Sequence, residues 1–405
     1  MSSTTRHLRS FFTPPRDYVH RRRYRRRLVN FIGVPLLSIM AAYVITRPTG
    51  GTGFRLPKSA QGATSQGRLG SPAGAATTAV SSDPLRAPAV ASARVFANAY
   101  KLDDGPDAVT EVQEVALHDA KRNKTLHVRV FYPAGAGPFP VIVFSHGAGG
   151  SQFCCDGLTR HWASYGYVTL QPTHEDSTSQ RRTSGEDVNF LKAVREALKK
   201  PELWESRPED ISFLLDSLGV LQEEIPALAG KLDAHRIGVG GHSMGAFTAD
   251  AIAGALVDLP GRPGVSFADA RVKAALLLSP QGPGEFGLND HSWDRVSLPL
   301  MSMTGSLDTG ANGAGPDWRK IPFDRSEAGD KYHVFIEGAN HMSFILPKAL
   351  LPGRAAHGEV IFNYTNCAAL AFWDAYLKGD SSAKQYLQSD ALTEYSHGAV
   401  KLSRR

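Results

Sequence analysis

Short apolar runs recur from about residue 100 onward, and they predict a mostly parallel β-sheet. Two early segments, EVQEVAL and TLHVRVFYP, alternate apolar and polar residues as a half-exposed antiparallel pair does. The later runs are continuously apolar, as in parallel strands covered on both faces: PVIVFSH, GYVTLQP, RIGVGGHS, VKAALLLSP, PLMSMTGS and YHVFIEGA. Helical patterns separate them. The alternation predicts an α/β fold whose chemistry lies at the carboxyl ends of the strands.

The predicted helices cover residues 156–165, 188–198, 211–221, 246–256 and 360–377. Gly379 suits the C-terminal cap of the last one. The connection from Pro172 to Lys231 is about 60 residues long, and such a connection typically holds a lid or a pocket wall. Within it, we interpret the charged segment LKKPELWESRPED as a solvated helix surface. A second expected wall, at 310–331, contains Trp318 and Phe323.

An uncharged run from Leu28 to Ile45 follows a cluster of arginines and predicts a membrane-spanning helix. About 18 helical residues span about 27 Å, close to the thickness of a hydrocarbon core. Arginines before the run favour an N-terminus in the cytoplasm and place the rest of the chain across the membrane. A cleaved signal peptide is the alternative, and it would make the protein periplasmic or secreted.

Residues 47–95 are rich in Gly, Ala, Ser, Thr and Pro and show no apolar periodicity. Such a segment buries too little surface to offset its ordering entropy, so it predicts a disordered linker. The expected organisation is a basic region at 1–27, the anchor or signal helix at 28–46, the linker at 47–95, the α/β domain at 96–385 and a C-terminal tail at 386–405.

Charge and cysteine content narrow the classes of partner. The net charge is +6, but residues 1–27 carry nine Arg and one Asp, so the rest of the chain is slightly acidic. A nucleic-acid-binding domain would carry its basic residues on the folded part, so we expect no nucleic-acid partner. Cys154, Cys155 and Cys367 fit neither a zinc site nor a disulfide scaffold. A bridge from Cys367 to one of the pair and three free thiols both remain open.

The segment GHSMG, residues 241–245, matches G-x-S-x-G between a predicted strand and a predicted helix. A turn this sharp holds its central residue, Ser243, in a strained conformation that lifts the hydroxyl out of the sheet edge. Gly241 and Gly245 leave room because the strand and the helix come very close there. The following helix directs its positive end toward Ser243. Ser243 is therefore a candidate nucleophile.

A nucleophilic serine needs a base, and the base needs a carboxylate that orients it. His341 follows the predicted last core strand in VFIEGANHMSF, and Asp308 follows the preceding strand in MSMTGSLDTG. The chain order Ser, Asp, His fits a hydrolase built on such a sheet. The histidines without a comparable position are His235, His291 and His357.

A glycine-rich turn at 146–150, HGAGG, ends the strand PVIVFSH. The backbone N–H groups of Ala148 and Met244 are the candidate donors to an oxyanion. The turn lacks the Lys-Ser/Thr of a phosphate loop and the acidic residue of a dinucleotide site, so we expect no nucleotide. The predicted chemistry also requires no metal or other cofactor. We interpret His146 and His242 as packing and bracing residues.

The region from about Glu111 to Asp380 resembles the α/β-hydrolases. Within them it resembles the serine esterases similar to platelet-activating factor acetylhydrolase, chlorophyllase, the dienelactone hydrolase relatives and bacterial polyester hydrolases. The segments that carry the resemblance are FSHGAGG, THEDS, RPEDISFLLD, RIGVGGHSMGA, GSLDTG and GANHMSF. The resemblance implies Ser243 as nucleophile, His341 as general acid and base, and Asp308 as orienting acid. It also implies the two oxyanion donors named above.

The chain departs from these families at two points. Acetylhydrolases of this type place the acid after the strand that follows the nucleophile, here near LLLSPQGPG, where the first carboxylates are Glu285 and Asp290. Dienelactone hydrolases use a Cys nucleophile, and this chain has Ser. We therefore expect Asp308 to be the acid and Asp290 to be a turn or cap residue.

The resulting expectation is a serine carboxylic ester hydrolase that forms an acyl-enzyme with apolar acyl esters, which are short-chain, lipid or phospholipid-like. Helices would roof its acyl pocket in part. An acyltransferase with the same triad and a cutinase-like polyester hydrolase are alternatives. A non-enzymatic binding protein is a further alternative, but it has no need of a complete triad. The expected partners are the ester substrate and a membrane, through the N-terminal helix.

Overall fold

The computed structural model describes residues 99–345 and 355–405. The predicted basic region, the run from Leu28 to Ile45 and the predicted linker lie outside the described residues. Within the described part, the structure contains no helix with the length and apolar character needed to cross a membrane.

A nine-stranded, mostly parallel sheet forms the centre of the described molecule. In spatial order its strands are β1 (Val109–Asp119), β2 (Lys124–Pro133), β4 (Val168–Thr173), β3 (Phe139–Ser145), β5 (Leu232–His242), β8 (Val272–Leu278), β9 (Leu300–Leu307), β10 (Lys331–Asn340) and β11 (Val400–Arg404). Strands β4, β3, β5, β8, β9 and β10 run parallel to one another, whereas β1, β2 and β11 pair antiparallel at the two edges. A separate hairpin contains β6 (Val257–Leu259) and β7 (Arg262–Val265). The predicted α/β class with a largely parallel sheet is confirmed.

Helices cover both faces of the sheet. They are α1 (Asp156–Ser164), α2 (Thr178–Thr183), α3 (Phe190–Ala197), α4 (Pro201–Asp216), α5 (Leu218–Glu224), α6 (Met244–Ile252), α7 (Pro316–Arg325), α8 (Ala355–Leu377), α9 (Ser381–Gln388) and α10 (Ala391–Tyr395). One apolar cluster joins the sheet to α3, α4 and α6, and the other joins it to α1 and α8. Gly379, with φ +70°, follows α8 and matches its predicted role as a cap.

The segment LKKPELWESRPED is not a solvated surface. It contributes the start of α4, which begins at Pro201, where a proline suits the first helical turn. Arg207 and Asp210 within it are fully buried. They share a face of α4 with buried Leu203 and Leu214, and buried polar partners compensate their charges, as described below.

The C-terminal residues are not a tail. The segment predicted as a tail at 386–405 contains α10 and β11, and β11 pairs with β10 from Tyr332 opposite Arg404 to Ile336 opposite Val400. Val400 is fully buried beneath the sheet edge. A strand of five residues is too short for its alternation to stand out in the sequence, and its partner strand supplies the hydrogen bonds that order it.

The cysteines adopt neither of the arrangements left open by the sequence. Cys154 and Cys155 form a disulfide with each other, and Cys155, at φ 69°, caps the N-terminus of α1. Cys367 is a free thiol inside α8. Burial raises the pKa of the Cys367 thiol to about 12, so it stays protonated.

Candidate active site

Ser243 lies on a sharp turn between β5 and α6. Its backbone has φ 57° and ψ −122°, a conformation that non-glycine residues rarely adopt and that costs on the order of 1–3 kcal/mol. Its N–H donates to the carbonyl of Leu278 at the end of β8, 2.9 Å away, which ties the turn to the neighbouring strand. The residue is only partly buried, although His242 and Met244 on either side are fully buried. The turn therefore presents the Ser243 side chain between two buried neighbours.

The two glycines beside Ser243 are required by close backbone contacts. A Cβ on Gly241 would lie 2.1 Å from the carbonyl oxygen of Gly245, and a Cβ on Gly245 would lie 2.0 Å from that of Ser145. Neither space admits a methyl group, so the steric prediction for this motif is confirmed. The second contact also packs the start of α6 against the end of β3, where the glycine-rich turn begins.

The structure brings His341 and Asp308 into direct contact. The two atoms His341 Nδ1 and Asp308 Oδ1 are 3.1 Å apart. Asp308 follows β9 and is fully buried, whereas 8% of His341, which follows β10, is exposed.

His242 holds the backbone of His341, because its Nε2 lies 2.7 Å from the His341 carbonyl oxygen. Burial, followed by the nearby His341, lowers the pKa of His242 to about 3, so this imidazole is neutral and braces the loop.

Three further side chains bind the Asp308 carboxylate. Arg319, buried in α7, places Nε 3.0 Å from Oδ1. Ser279 and Thr304 donate their hydroxyls to Oδ2 over 2.6 Å and 3.0 Å. Burial alone would raise the pKa of Asp308, but the Arg319 charge and hydrogen bonds from His341 and Ser279 outweigh it and lower the pKa to about 2. Asp308 is therefore ionised throughout the neutral range.

The alternative acids lie in other environments. Asp290 is exposed, and its carboxylate is 3.5 Å from the Arg325 guanidinium. Glu285 is partly buried, and burial raises the pKa of its carboxyl group. The carboxylate that contacts His341 belongs to Asp308.

The glycine-rich turn at 146–150 lies directly against Ser243. A Cβ on Gly147 would be 3.4 Å from the Cβ of Ser243. Two N–H groups of the turn are already bonded, since that of Gly149 donates to Asp176 Oδ2 at 2.7 Å and that of Gly150 donates to the Gly147 carbonyl at 3.0 Å. Ala148, which precedes Gly149, is buried, and Met244, directly after Ser243, begins α6.

A buried ion pair supports this turn. Arg207 of α4 binds Asp176 through Nε at 3.0 Å and Nη2 at 2.9 Å, and its Nη1 donates to the His146 carbonyl at 2.8 Å. Burial alone would raise the pKa of Asp176, but the Arg207 charge outweighs it and holds the pKa well below its usual range. The turn is thereby attached to a charge pair in the protein interior.

A second group of Ser, His and Asp lies beneath the same turn, and we call it the buried relay: Ser145, His174 and Asp210. Ser145 Oγ is 2.8 Å from His174 Nε2, and His174 Nδ1 is 2.8 Å from Asp210 Oδ2. All three residues are fully buried. The N–H of His174 also donates to His146 Nε2 at 3.0 Å, while His146 Nδ1 faces the Gly147 carbonyl at 2.7 Å. The interpretation of His146 as a bracing residue agrees with these contacts.

Burial, followed by the Arg207 charge, lowers the pKa of His174 well below its usual value, so the imidazole is neutral. Its Nδ1–H then donates to Asp210, and its Nε2 accepts the proton of the Ser145 hydroxyl. Asp210 is also paired with Lys124 at 2.8 Å and with Arg122 at 2.9 Å. The buried relay is therefore fully hydrogen-bonded and closed to solvent.

Sequence reasoning missed Ser279, Arg319 and the polar residues of α4. A signal for the last group exists in the sequence, because Leu203, Arg207 and Leu214 recur at helical spacing on one face. A charged residue at such a position is expected to be buried with a partner. No comparable pattern marks Ser279, which is one small polar residue in a turn.

Residues from both segments expected to form pocket walls pack near the site side chains. A Cβ on Gly149 would lie 2.9 Å from Val194 and 3.2 Å from Phe190, so α3 packs on the glycine-rich turn. Trp318 of α7 is partly buried and donates Nε1–H to the Pro283 carbonyl at 3.0 Å. Phe323 is buried against the ring of His333, on the side of α7 that faces β10, so it is part of the core.

The chain is similar in sequence to known ester hydrolases. A family model described as Chlorophyllase matches residues 100–261. Cutinase cut1 of Thermobifida fusca is 24% identical over 290 residues, which are 69% of this chain and 74% of the cutinase. Platelet-activating factor acetylhydrolase of Cavia porcellus is 22% identical over 280 residues, 61% of this chain and 60% of that protein. Cutinase 2 of Thermobifida cellulosilytica is 24% identical over 225 residues, 55% of this chain and 68% of its own length.

Proposed function

We propose that this chain, a carboxylic ester hydrolase related to the α/β-hydrolase serine esterases, cleaves esters of apolar acyl groups through an acyl-enzyme formed on Ser243. The observation that carries the proposal is the contact between His341 Nδ1 and the buried, ionised Asp308, at the same sheet edge as the strained Ser243 turn.

In the proposed mechanism His341 acts first as a general base. Asp308 accepts a hydrogen bond from the Nδ1–H group of His341, which leaves Nε2 free to take the proton of the Ser243 hydroxyl during attack on the ester carbonyl. The imidazolium that results lies beside an ionised carboxylate and then donates its proton to the departing alcohol. A water molecule activated by the neutral imidazole releases the acid and regenerates Ser243.

The oxyanion formed during both steps would be bound by the N–H groups of Ala148 and Met244. Gly147 packs against Ser243, and the N–H groups of Gly149 and Gly150 already donate to Asp176 and to the Gly147 carbonyl. These contacts support Ala148 as the donor from the turn. The N-terminus of α6 adds its positive dipole on the other side.

An apolar acyl group suits the surroundings of the proposed site. Leu307, the residue before Asp308, is 50% exposed, which is unusual for a large aliphatic side chain. Phe190 and Val194 of α3 cover the glycine-rich turn, and Trp318 lies on the α7 side. We propose that the helical insertion between β4 and β5 forms one wall of the acyl pocket. Esters of fatty acids, phospholipids and polyesters all have acyl groups of this kind.

The test combines covalent labelling with a substrate panel. A fluorophosphonate probe should label the wild-type protein and fail to label Ser243→Ala, which should retain its fold and lose on the order of 10⁴ to 10⁶ in kcat. p-Nitrophenyl esters from acetyl to palmitoyl, phospholipid and polyester then rank the acyl groups. Persistent labelling or turnover in Ser243→Ala contradicts the proposal. A preference for acetyl over every longer chain contradicts the apolar pocket.

We also propose, from the sequence, that Leu28–Ile45 anchors the protein in a membrane with the α/β domain outside the cytoplasm, and that 47–95 is a linker. Protease added to intact cells should then digest the α/β domain. Without protease, the full chain should be recovered in the membrane fraction. Deleting residues 1–95 should release a soluble domain with unchanged kcat on a short ester. A protected domain contradicts the orientation, and recovery of the full chain in the soluble fraction contradicts the anchor.

A further inference from the structure

Ser279 lies between the two groups that orient the proposed nucleophile. Its hydroxyl oxygen is 2.6 Å from Asp308 Oδ2 and 2.6 Å from His341 Nδ1, and the residue is fully buried. The direct contact between the imidazole and the carboxylate is longer, at 3.1 Å. The nearest partner of Nδ1 is therefore the serine hydroxyl.

The donors and acceptors determine the direction of these hydrogen bonds. Asp308 is ionised, so its oxygens can only accept, and the hydroxyl of Ser279 must donate its single proton to Oδ2. The lone pairs of the same oxygen then face His341 Nδ1, which carries a proton. That N–H is shared between Ser279 Oγ and Asp308 Oδ1.

The backbone holds Ser279 in this position. Its φ of 57° lies in the left-handed region, which is sparsely populated by residues other than glycine. Its N–H donates to the Met303 carbonyl on β9 at 2.8 Å, and its carbonyl accepts Arg319 Nη1 at 2.9 Å. A residue held so firmly in an uncommon conformation aims its side chain reproducibly.

We propose that Ser279 is a positioning residue, whose hydroxyl transmits the orienting effect of Asp308 to His341 alongside the direct contact. This inference rests on the proposed function of Ser243, His341 and Asp308. The hydroxyl favours the tautomer of His341 with Nδ1 protonated. It keeps its hydrogen bond to Nδ1–H when the imidazole ring becomes charged.

The same geometry makes the position after β8 able to hold the acid itself. The Oγ atom on the Cβ of Ser279 is 2.6 Å from His341 Nδ1. A carboxylate attached to the same Cβ would therefore lie within reach of Nδ1. The exchange Ser279→Asp with Asp308→Ser therefore keeps one carboxylate and one hydroxyl beside His341 and reverses their places.

The first experiment compares Ser279→Ala with the matched control Thr304→Val. Thr304 donates to the same oxygen of Asp308, but it is not a partner of His341 among the described hydrogen bonds. Ser279→Ala should lower kcat about 10- to 100-fold, the scale of a hydrogen bond to a charged group, with KM within about twofold. Thr304→Val removes a hydrogen bond to the same carboxylate but leaves Ser279 and Asp308 beside His341, so its loss in kcat should be at least about threefold smaller than that of Ser279→Ala. The low-field proton resonance of His341 Nδ1 should move in Ser279→Ala and persist in Thr304→Val.

The second experiment uses the exchange. Asp308→Ser alone should lose roughly 10³ to 10⁴ in kcat, and the exchange variant should recover at least about tenfold of that loss. Urea unfolding of each variant identifies those that fold, and fluorophosphonate labelling reports on Ser243. Equal losses in Ser279→Ala and Thr304→Val, or no recovery in the folded exchange variant, overturn the role of Ser279. Turnover by Ser243→Ala overturns the underlying triad instead, so the two failures are distinguishable.

Discussion

Two groups of Ser, His and Asp lie side by side at the carboxyl ends of neighbouring strands. The proposed triad contains Ser243 at the end of β5, and the buried relay contains Ser145 at the end of β3, where it pairs with Gly241. In both groups a histidine Nδ1 contacts an aspartate, at 3.1 Å for His341 and 2.8 Å for His174. The residue types therefore do not distinguish a catalytic group from a structural one.

The two groups differ in access and in backbone conformation. Ser145 belongs to a regular strand, is fully buried and donates a hydrogen bond from its hydroxyl to His174. Ser243 is partly exposed on a turn with φ 57°, at the N-terminus of a helix. A hydroxyl that substrate cannot reach contributes only its hydrogen bond. The comparison teaches that strain and exposure at the turn, rather than the presence of a histidine and an aspartate, separate a nucleophile from a structural serine.

The strongest test of this difference removes the charge of the triad carboxylate. Asp308→Asn should stay folded and lose roughly 10³ to 10⁴ in kcat, because an amide cannot stabilise the imidazolium and favours the wrong tautomer. Asp290→Asn is the control, with a change in kcat below about tenfold. Steady-state kinetics on a soluble short ester measures both. A larger loss at Asp290 would assign the acid to the other turn.

The buried ion pair that supports the glycine-rich turn should affect stability instead. Arg207→Met leaves Asp176 ionised and unpaired in the interior, so the free energy of unfolding should fall by about 3–5 kcal/mol. Arg181→Met is the matched control, because Arg181 pairs with Glu186 at the surface, and it should change stability by less than about 1 kcal/mol. Urea denaturation measures both variants. Similar values for the two would show that the buried pair does not stabilise the turn.

Asp250 shows what happens to a buried carboxylate without a cation. Its Oδ2 accepts Trp293 Nε1–H at 2.7 Å, its Oδ1 has no hydrogen-bond partner in the described structure, and burial raises its pKa to about 7. The folded protein holds this proton at pH values where the unfolded chain has lost it. The side chain therefore costs stability increasingly as the pH rises from about 4 to about 7.

Asp250→Asn should remove this pH dependence. The gain in the free energy of unfolding over wild type should grow between pH 4 and pH 7 and level off above, at up to about 4 kcal/mol more than at pH 4. Denaturation curves at a series of pH values measure it. A gain that is the same at every pH would show that the Asp250 carboxyl does not titrate with a raised pKa.

The smallest expected effect belongs to Ser145. Ser145→Ala removes the proton that His174 Nε2 accepts and should cost about 1–3 kcal/mol of stability. It should leave kcat within about tenfold of wild type and leave fluorophosphonate labelling intact. A loss in kcat as large as that of Ser243→Ala would mean that the buried relay takes part in the chemistry.

Local patterns in the sequence determined the α/β class and the turn at Ser243. Apolar runs of strand length and amphipathic helices are readable because their periods are local. The need for Gly241 and Gly245 follows from a motif five residues long, and the contacts of 2.1 Å and 2.0 Å bear it out. The sequence also singled out His341 and Asp308 by their positions after consecutive strands.

Tertiary structure alone decided which polar side chains meet. Ser279 is 62 residues from His341 and 29 from Asp308, and Arg207 is 31 from Asp176. These contacts depend on strand order and on the exact conformation of single turns, which no periodic pattern encodes. The same reason explains why the sequence predicts a tail where β11 lies and a solvated surface at the start of α4. A short edge strand or a buried charge is stabilised by its partner, and the partner is distant in the chain.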